Sequence, residues 1–306
     1  MRVLELFAGA GGAALGIEAA GFTHAALVEW DEEACATLTM AGVQGVLRTD
    51  VRSLDLETMH GIDLLWSSFP CQPFSTAGKS RSQEDDRNGW PGTVRALDGV
   101  SPTWFVGENV PGLLRHKRSC AVAGGPLAPS GACPGCYLEL SIIPDLRARF
   151  AHVHAWVLDA ADHGVAQHRA RLFLVAGPAP LTPPTPTHGP QRAAPWVPAA
   201  DALGLPAEGT TLQAGVCRVD KGHRGATRPL SRPSPTIASA SFMYLRSGDV
   251  IRKLTVRECS AIQGFPVDYP FCGRVMSQYR QVGNAVPPRL AEAVARVIAR
   301  AQEEAA

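Results

Sequence analysis

The sequence predicts an α/β protein: a Rossmann-like doubly wound sheet with a second, smaller, loop-rich domain. Three observations predict it. The chain opens on a short apolar run (residues 2–7), a glycine turn (Ala8-Gly9-Ala10-Gly11-Gly12) and a helix-prone stretch (residues 13–20), the strand–turn–helix opening of a ligand-binding parallel sheet. Apolar runs then recur, each closing on a polar residue and followed by helix-prone sequence, which reads as alternating β and α units. From 177 to 215 the character changes: Pro178, Pro180, Pro183, Pro184, Pro186, Pro190, Pro195 and Pro198 break regular structure. The expected organisation is therefore residues 1–177 plus 250–306 as the larger domain and 178–249 as the smaller one.

Composition bounds the function. A chain of 306 residues, 45% apolar and 19% charged, buries a sizeable core and is neither disordered nor fibrous. No apolar run reaches membrane-spanning length. Met1-Arg2-Val3-Leu4-Glu5-Leu6-Phe7 meets a carboxylate early and runs into the glycine turn, so it reads as the first strand and not as a leader. The expected compartment is the cytoplasm, with reduced cysteines. The net charge of +1 decides nothing by itself. Its distribution says more: Arg218, Lys221, Arg224, Arg228, Arg232, Arg246, Arg252, Lys253 and Arg257 are opposed within that stretch only by Asp220 and Asp249. A locally positive face suits a polyanion, and a solvated surface of scattered arginines is the competing reading.

In chain order, the second strand (His24–Val28) ends in Glu29-Trp30-Asp31. A carboxylate there suits ribose hydroxyls, and the indole offers a face for stacking an adenine; an acidic first turn of a helix explains the same residues. A third strand near Val46–Leu47 ends in Thr49-Asp50-Val51. The fourth apolar run, Leu64-Leu65-Trp66-Ser67-Ser68-Phe69, breaks at Pro70 and delivers Cys71 to the carboxyl edge, where a nucleophile would be held. Taken alone, Cys71 also fits a buried core thiol. Residues 75–92 lack apolar periodicity; Gly78, Gly89 and Gly92 suit hinges, and Lys79, Arg81 and Arg87 suit phosphates, so the stretch reads as a lid. A fifth strand, Trp104–Gly107, leads to Glu108-Asn109-Val110. A helix is expected near 140–150 and strands at 154–159 and 172–175. Before the last of these, alternation puts Gln167, Arg169 and Arg171 on one face. Thr255 reads as the cap of a later helix, residues 281–288 as a turn, and Arg289–Ala301 as an amphipathic helix packing back on the larger domain.

These motifs, in this order and over nearly the whole length, resemble the DNA (cytosine-5)-methyltransferases. Phe7-Ala8-Gly9-Ala10-Gly11-Gly12 resembles the methyl-donor motif, Pro70-Cys71-Gln72 the nucleophile motif, Glu108-Asn109-Val110 the acidic motif, Gln167-x-Arg169-x-Arg171 the basic motif and Gly283-Asn284-Ala285-Val286 the late motif that returns to the donor site. The resemblance implies a methyltransferase sheet, a target-recognition domain in the proline-rich middle, S-adenosylmethionine as donor and double-stranded DNA as substrate. It implies donor contacts from Phe7, Ala8, Gly9, Gly11, Gly12, Glu29, Trp30, Asp50, Val51, Pro70, Asn284 and Ala285, with Trp90 where a closed lid touches the donor. It implies Cys71 as nucleophile, Glu108 on the ring nitrogen and Arg169 on the carbonyl oxygen of the base, supported by Gln167 and Arg171. Gln72, Ser75, Lys79, Arg81, Arg87, Arg228 and Arg232 would face DNA. A monomer and a cognate restriction endonuclease are the further expectations.

The chemistry asks for these groups. Carbon 5 of cytosine is a poor nucleophile until a thiolate adds to carbon 6 and an acid relieves charge at the ring nitrogen. A stacked base is out of reach, so the target must flip out. Two departures stand out. The target-recognition segment is short and proline-rich for the family. Residues 113–139 look inserted and carry His116, Cys120 and Cys133-Pro134-Gly135-Cys136. That set is compatible with a structural zinc, but its upstream spacing matches no standard site, so uncoordinated thiols in a loop and no metal are expected. Cys35, Cys217, Cys259 and Cys272 read as core or incidental. Two other functions fit parts of the sequence. An RNA cytosine methyltransferase of the tRNA-methylating branch suits the short recognition region, but that branch's Cys-Phe-Thr tripeptide is absent from the chain. A non-catalytic binding relative has no chemical need for Cys71, Glu108 and Arg169 together.

Overall fold

The structure is a computed structural model and describes residues 1–70, 88–116, 133–215, 227–239 and 242–304. Strands β1 (Arg2–Leu6), β2 (Thr23–Glu29), β3 (Val46–Arg48), β4 (Leu64–Ser67), β5 (Trp104–Asn109), β6 (His152–Asp159) and β7 (Ala170–Gly177) form one sheet in the order β3-β2-β1-β4-β5-β7-β6. β1 to β5 are mutually parallel; β7 runs antiparallel between β5 and β6. Strand order reverses between β1 and β4, and the crevice outside their carboxyl ends is the place such sheets bind ligands.

Alternation assigns the sheet's two faces. Leu4, Leu6, Leu65, Phe105, Leu172 and Leu174 point into one core. Val3, Leu64, Trp66, Trp104, Val106, Phe173 and Val175 point into the other. Both faces are apolar because helices cover both. On the first lie α3 (Trp90–Val100) and a helical stretch made of α4 (Pro134–Tyr137), a π-turn (Leu138–Ile142) and α5 (Ile143–Arg147). On the second lie α1 (Gly12–Ala19) and α9 (Pro288–Glu304). α2 (Glu32–Met40) follows β2, and its N-terminus is capped by the Asp31 side chain on the Ala34 N–H.

The second lobe holds α6 (Ala199–Leu203) and a four-stranded antiparallel sheet, ordered β11-β10-β8-β9, of β8 (Thr210–Ala214), β9 (Thr227–Pro229), β10 (Met243–Ser247) and β11 (Val250–Lys253). α7 (Val256–Gln263) and α8 (Val275–Asn284) share its core: Leu212, Leu230, Met243, Leu245, Cys259, Ile262 and Val282 pack together. The boundary expected at 249/250 therefore runs through the β10–β11 hairpin. A pattern-based boundary follows the proline content, whereas strand pairing carries this lobe past it.

Other elements differ from their expected bounds for local reasons. The helix expected from 140 starts at Pro134, because Pro-Gly-Cys reads as loop until Pro134 takes the first helical position. Residues 281–284 finish α8 and are not a turn; the break comes at Ala285–Pro287, forced by the two prolines. Thr255 does cap α7: its Oγ1 accepts from the Glu258 N–H at 3.2 Å, and Glu258 accepts from the Thr255 N–H at 2.8 Å.

Candidate active site

The donor end of the crevice is built from backbone. Phe7 leaves β1 with φ 58, a left-handed conformation costly for a non-glycine residue, and Gly9 and Gly11 follow at φ 55 and 85. A side chain at Gly9 would meet nothing, so open space borders that peptide. A side chain at Gly12 would strike the Val286 carbonyl oxygen, which is how Ala285 and Val286 come to rest on the start of α1. Glu29 ties the strand ends together: Oε2 accepts from the Gly9 N–H, and Oε1 from the Trp30 and Asp31 N–H groups, each at 2.8 Å. Thr49 N–H donates to the Glu29 carbonyl at 3.0 Å, bringing Asp50 alongside. Asp50 accepts from the Arg52 N–H and pairs with the Arg52 guanidinium, which holds its carboxyl below the usual range. Trp30 is 70% exposed, its indole open for stacking; Asn284 is exposed; Ala8, Gly12, Val51 and Ala285 are buried. A trough of peptide edges, one open glycine, a bound carboxylate and an exposed indole fits a nucleoside-bearing donor.

Trp90 lies against Phe69, beyond the end of β4. It is 2% exposed, packs edge-on against Phe105, lies 5.1 Å from the Phe69 ring and donates from Nε1 to Asp145 Oδ2 at 2.8 Å. As the first residue of α3 it points into the core and backs Phe69.

β4 leads out at the middle of the crevice. Ser68 N–H donates to the Leu6 carbonyl, Asn109 Nδ2 holds the Phe69 carbonyl at 2.9 Å, and the Pro70 carbonyl accepts from Gly89 N–H at 3.2 Å. The turn into residue 71 is thus fixed from both neighbouring strands. Cys71, Gln72, Ser75, Lys79, Arg81 and Arg87, like Cys120 and Cys217, lie outside the described residues.

The far end is built from buried charge. β5 and β7 pair with Glu108 opposite Phe173, so Arg171, two residues before Phe173, shares the face of Glu108. Arg171 Nε meets Glu108 Oε1 at 2.9 Å, both nearly buried. Burial pushes the Glu108 carboxyl up, and Arg171 and then Arg169 pull it back only in part. Burial also weakens the Arg171 charge, with Glu108 opposing that loss. Desolvation exceeds attraction at both partners, which leaves Glu108 poised to hold or share a proton.

Arg169 and Gln167 are fully buried and do different work. Arg169 donates to the Ile237 carbonyl at 2.8 Å and the Gly283 carbonyl at 2.7 Å. Its Nε finds no acceptor among the described residues. Gln167 bonds Gln263 and accepts from Ile237 N–H at 2.9 Å, while Gln263 reaches the Ala285 carbonyl at 2.8 Å. Backbone pairs Ser234–Ala166 and His168–Ser234 complete a seam between the lobes. Arg169, expected on the carbonyl of the base, gives two of its donors to the seam, and Arg171 is the guanidinium paired with Glu108. Sequence reasoning also missed Asn109 and Gln263. The first stood in view beside Glu108; the second carries no sequence signal. Arg232 is exposed and Arg228 half-buried on the second lobe. Elsewhere in the basic stretch Arg252 pairs with Glu258, Arg257 with Asp268, and Lys253 lies 3.1 Å from the centre of the Phe242 ring.

The model of the C-5 cytosine-specific DNA methylases matches residues 1–193 and 211–300. The chain belongs to the C-5 cytosine-specific DNA methylase family. Among curated relatives, the Type II methyltransferase M.NgoMIV of Neisseria gonorrhoeae is 34% identical across 97% of each chain. M.NaeI of Lentzea aerocolonigenes is 32% identical across 97% of this chain and 74% of its own. Two solved structures share the fold: a putative DNA modification methyltransferase encoded in an E. coli prophage (TM-score 0.73, 20% identity, 99% of both chains) and S. pombe Dnmt2 (TM-score 0.70, 16% identity, 100% of this chain and 99% of that one). This methylase transfers a methyl group from S-adenosylmethionine to carbon 5 of cytosine in DNA. No helix among the described residues is long and apolar enough to cross a membrane.

Proposed function

We propose that the methylase acts by covalent catalysis from Cys71 on a flipped-out cytosine within a specific duplex sequence. The observation that carries this reading is the buried Glu108–Arg171 pair beside the pinned turn into residue 71. The Cys71 thiolate adds to carbon 6, forming a carbon–sulfur bond and pushing an electron pair toward carbon 5. Glu108, whose carboxyl burial pushes up, shares a proton with the ring nitrogen, offsets the developing charge and takes the proton back as the thiolate leaves. Arg171 donates to the carbonyl oxygen of the base and orients Glu108. S-adenosylmethionine, when bound, supplies the electrophilic methyl group that carbon 5 takes. Loss of the carbon-5 proton to water then expels the thiolate and breaks the carbon–sulfur bond. The glycine loop, Glu29, Trp30 and Asp50 hold the donor; Arg228 and Arg232, with Gln72, Ser75, Lys79, Arg81 and Arg87, face DNA.

The same reading takes the protein as a cytoplasmic monomer; the Type II names of its relatives support a cognate restriction endonuclease. Tritiated methyl transfer tests it. Label should enter unmethylated duplex DNA at one recurring sequence found by bisulfite sequencing, and not transfer RNA. Label in transfer RNA alone would overturn the DNA reading, and methylation of duplex DNA without sequence preference would overturn its specificity.

A further inference from the structure

The described residues between β5 and α4, with the start of α4, bring together the residues of a metal site. After β5 the chain makes a 3₁₀ turn (Pro111–Leu114) and presents His116; α4 then begins on Cys133 and carries Cys136. His116 Nδ1 lies 3.9 Å from Cys133 Sγ and 3.7 Å from Cys136 Sγ, and the three ligand atoms all lie within 4.8 Å of one another. A tetrahedral zinc with ordinary zinc–sulfur and zinc–nitrogen bonds sets sulfur–nitrogen separations of about 3.6 Å and sulfur–sulfur separations of about 3.8 Å. The two sulfur–nitrogen separations stand close to that spacing.

The surroundings agree. Both cysteines are buried, and thiolates gathered in a dry site need a cation. The other ring nitrogen of His116 lies 3.1 Å from Glu139 Oε1, the carboxylate–histidine arrangement that aims a ligand nitrogen at a metal and raises its basicity. Gly135 donates its N–H to the Arg115 carbonyl at 3.0 Å, and a Cβ there would come 2.7 Å from His116 Nε2. Gly135, one of the two residues between the cysteines, is therefore kept small so that the imidazole can close on them.

The geometry points to a structural zinc site to which His116, Cys133 and Cys136 supply three of the four ligands, with Glu139 as the positioning carboxylate. Two thiols lose their protons on binding, so two thiolates and a neutral imidazole balance the divalent charge. The sequence expectation of uncoordinated thiols in a loop is revised on the placement of these atoms; Cys120 lies outside the described residues and the assignment does not use it. The site pins the exit of β5 to the start of α4. Tyr137, next to Cys136, accepts from Asn88 Nδ2 at 2.8 Å, and Asp145 further along holds Trp90. The metal thereby stiffens the wall at which the chain rejoins the fold after the active-site turn.

Elemental analysis of the full-length protein, purified without chelator or metal-affinity resin, tests this. One zinc per chain should survive gel filtration. His116→Ala and Cys133→Ser/Cys136→Ser should lose it, and Glu139→Gln should weaken retention roughly 10- to 100-fold. Cobalt added to the stripped protein should give thiolate-to-metal charge-transfer absorption and intense tetrahedral bands. Folded wild-type protein without zinc and without the cobalt bands would overturn the assignment. So would zinc retained by the double serine variant, or a Cys133–Cys136 disulfide in the protein as purified. None of these readouts depends on methyl transfer.

Discussion

The two ends of the crevice are made of different material. The donor end is peptide: Phe7, Gly9 and Gly11 in left-handed conformations, a Glu29 carboxylate saturated by N–H groups, and an exposed Trp30. The base end is buried charge: Glu108 against Arg171, with Arg169 drawn away to the seam. A neutral, invariant nucleoside is held well by fixed backbone dipoles. Proton sharing with a pyrimidine needs a carboxyl whose ionisation the protein controls, and only desolvation opposed by a paired cation supplies that. Substitutions at the two ends should therefore fail in different ways.

The largest effect is expected at Glu108. Glu108→Gln should cut kcat by about 10²–10⁴-fold with donor binding unchanged, measured by single-turnover methyl transfer and equilibrium dialysis. A similar loss of donor affinity would erase the distinction between the ends.

Arg171→Ala against Arg169→Ala sharpens the comparison within the base end. Removing Arg171 should cost roughly 10²-fold in kcat and move upward the limb on which activity falls as pH rises, because Glu108 acts as a proton donor and loses its nearest cation. Removing Arg169 should strip two buried carbonyls of their donor, at about 1–3 kcal/mol each, and appear chiefly as a lower Tm. If the two variants exchanged phenotypes, the reassignment from Arg169 to Arg171 would be wrong.

The two tryptophans form the next pair. Trp90→Ala should destabilise by about 3–5 kcal/mol as a core truncation, with little change in donor Kd measured on the folded fraction. Trp30→Ala should leave Tm unchanged and weaken the donor by about 3- to 10-fold, the scale of an aromatic stack. Calorimetry and titration separate them.

The smallest effect is a pH slope. Glu108 is raised in the folded state, so between the ordinary carboxylate range and its raised value the native protein binds more protons than the unfolded chain. Its contribution to stability therefore falls as pH rises through that window. Glu108→Gln should flatten that part of the stability profile.

These pairs also show what the sequence carries. The strand–glycine–helix opening, the carboxylates at strand ends and the Thr255 capping box are legible because local pattern dictates them. Which arginine faces Glu108 is not, since it depends on the β5–β7 register, set by residues more than sixty positions apart. The same applies to β7 inserting between β5 and β6, to the β10–β11 hairpin that crosses the expected domain boundary, and to Gln263 in the seam. That Trp90 turns its indole inward is not legible either, because spacing gives a position along the chain and not the side of a helix. Cys133 and Cys136 looked like loop because proline and glycine there open a helix.

The most direct test uses duplex DNA carrying 5-fluorocytosine at the target position, incubated with S-adenosylmethionine. The fluorine cannot leave as a cation, so the adduct should persist as a denaturation-resistant complex whose modified peptide contains Cys71, and Cys71→Ser should form none. Equal trapping by Cys71→Ser, or an adduct on another residue, would contradict covalent attack from Cys71.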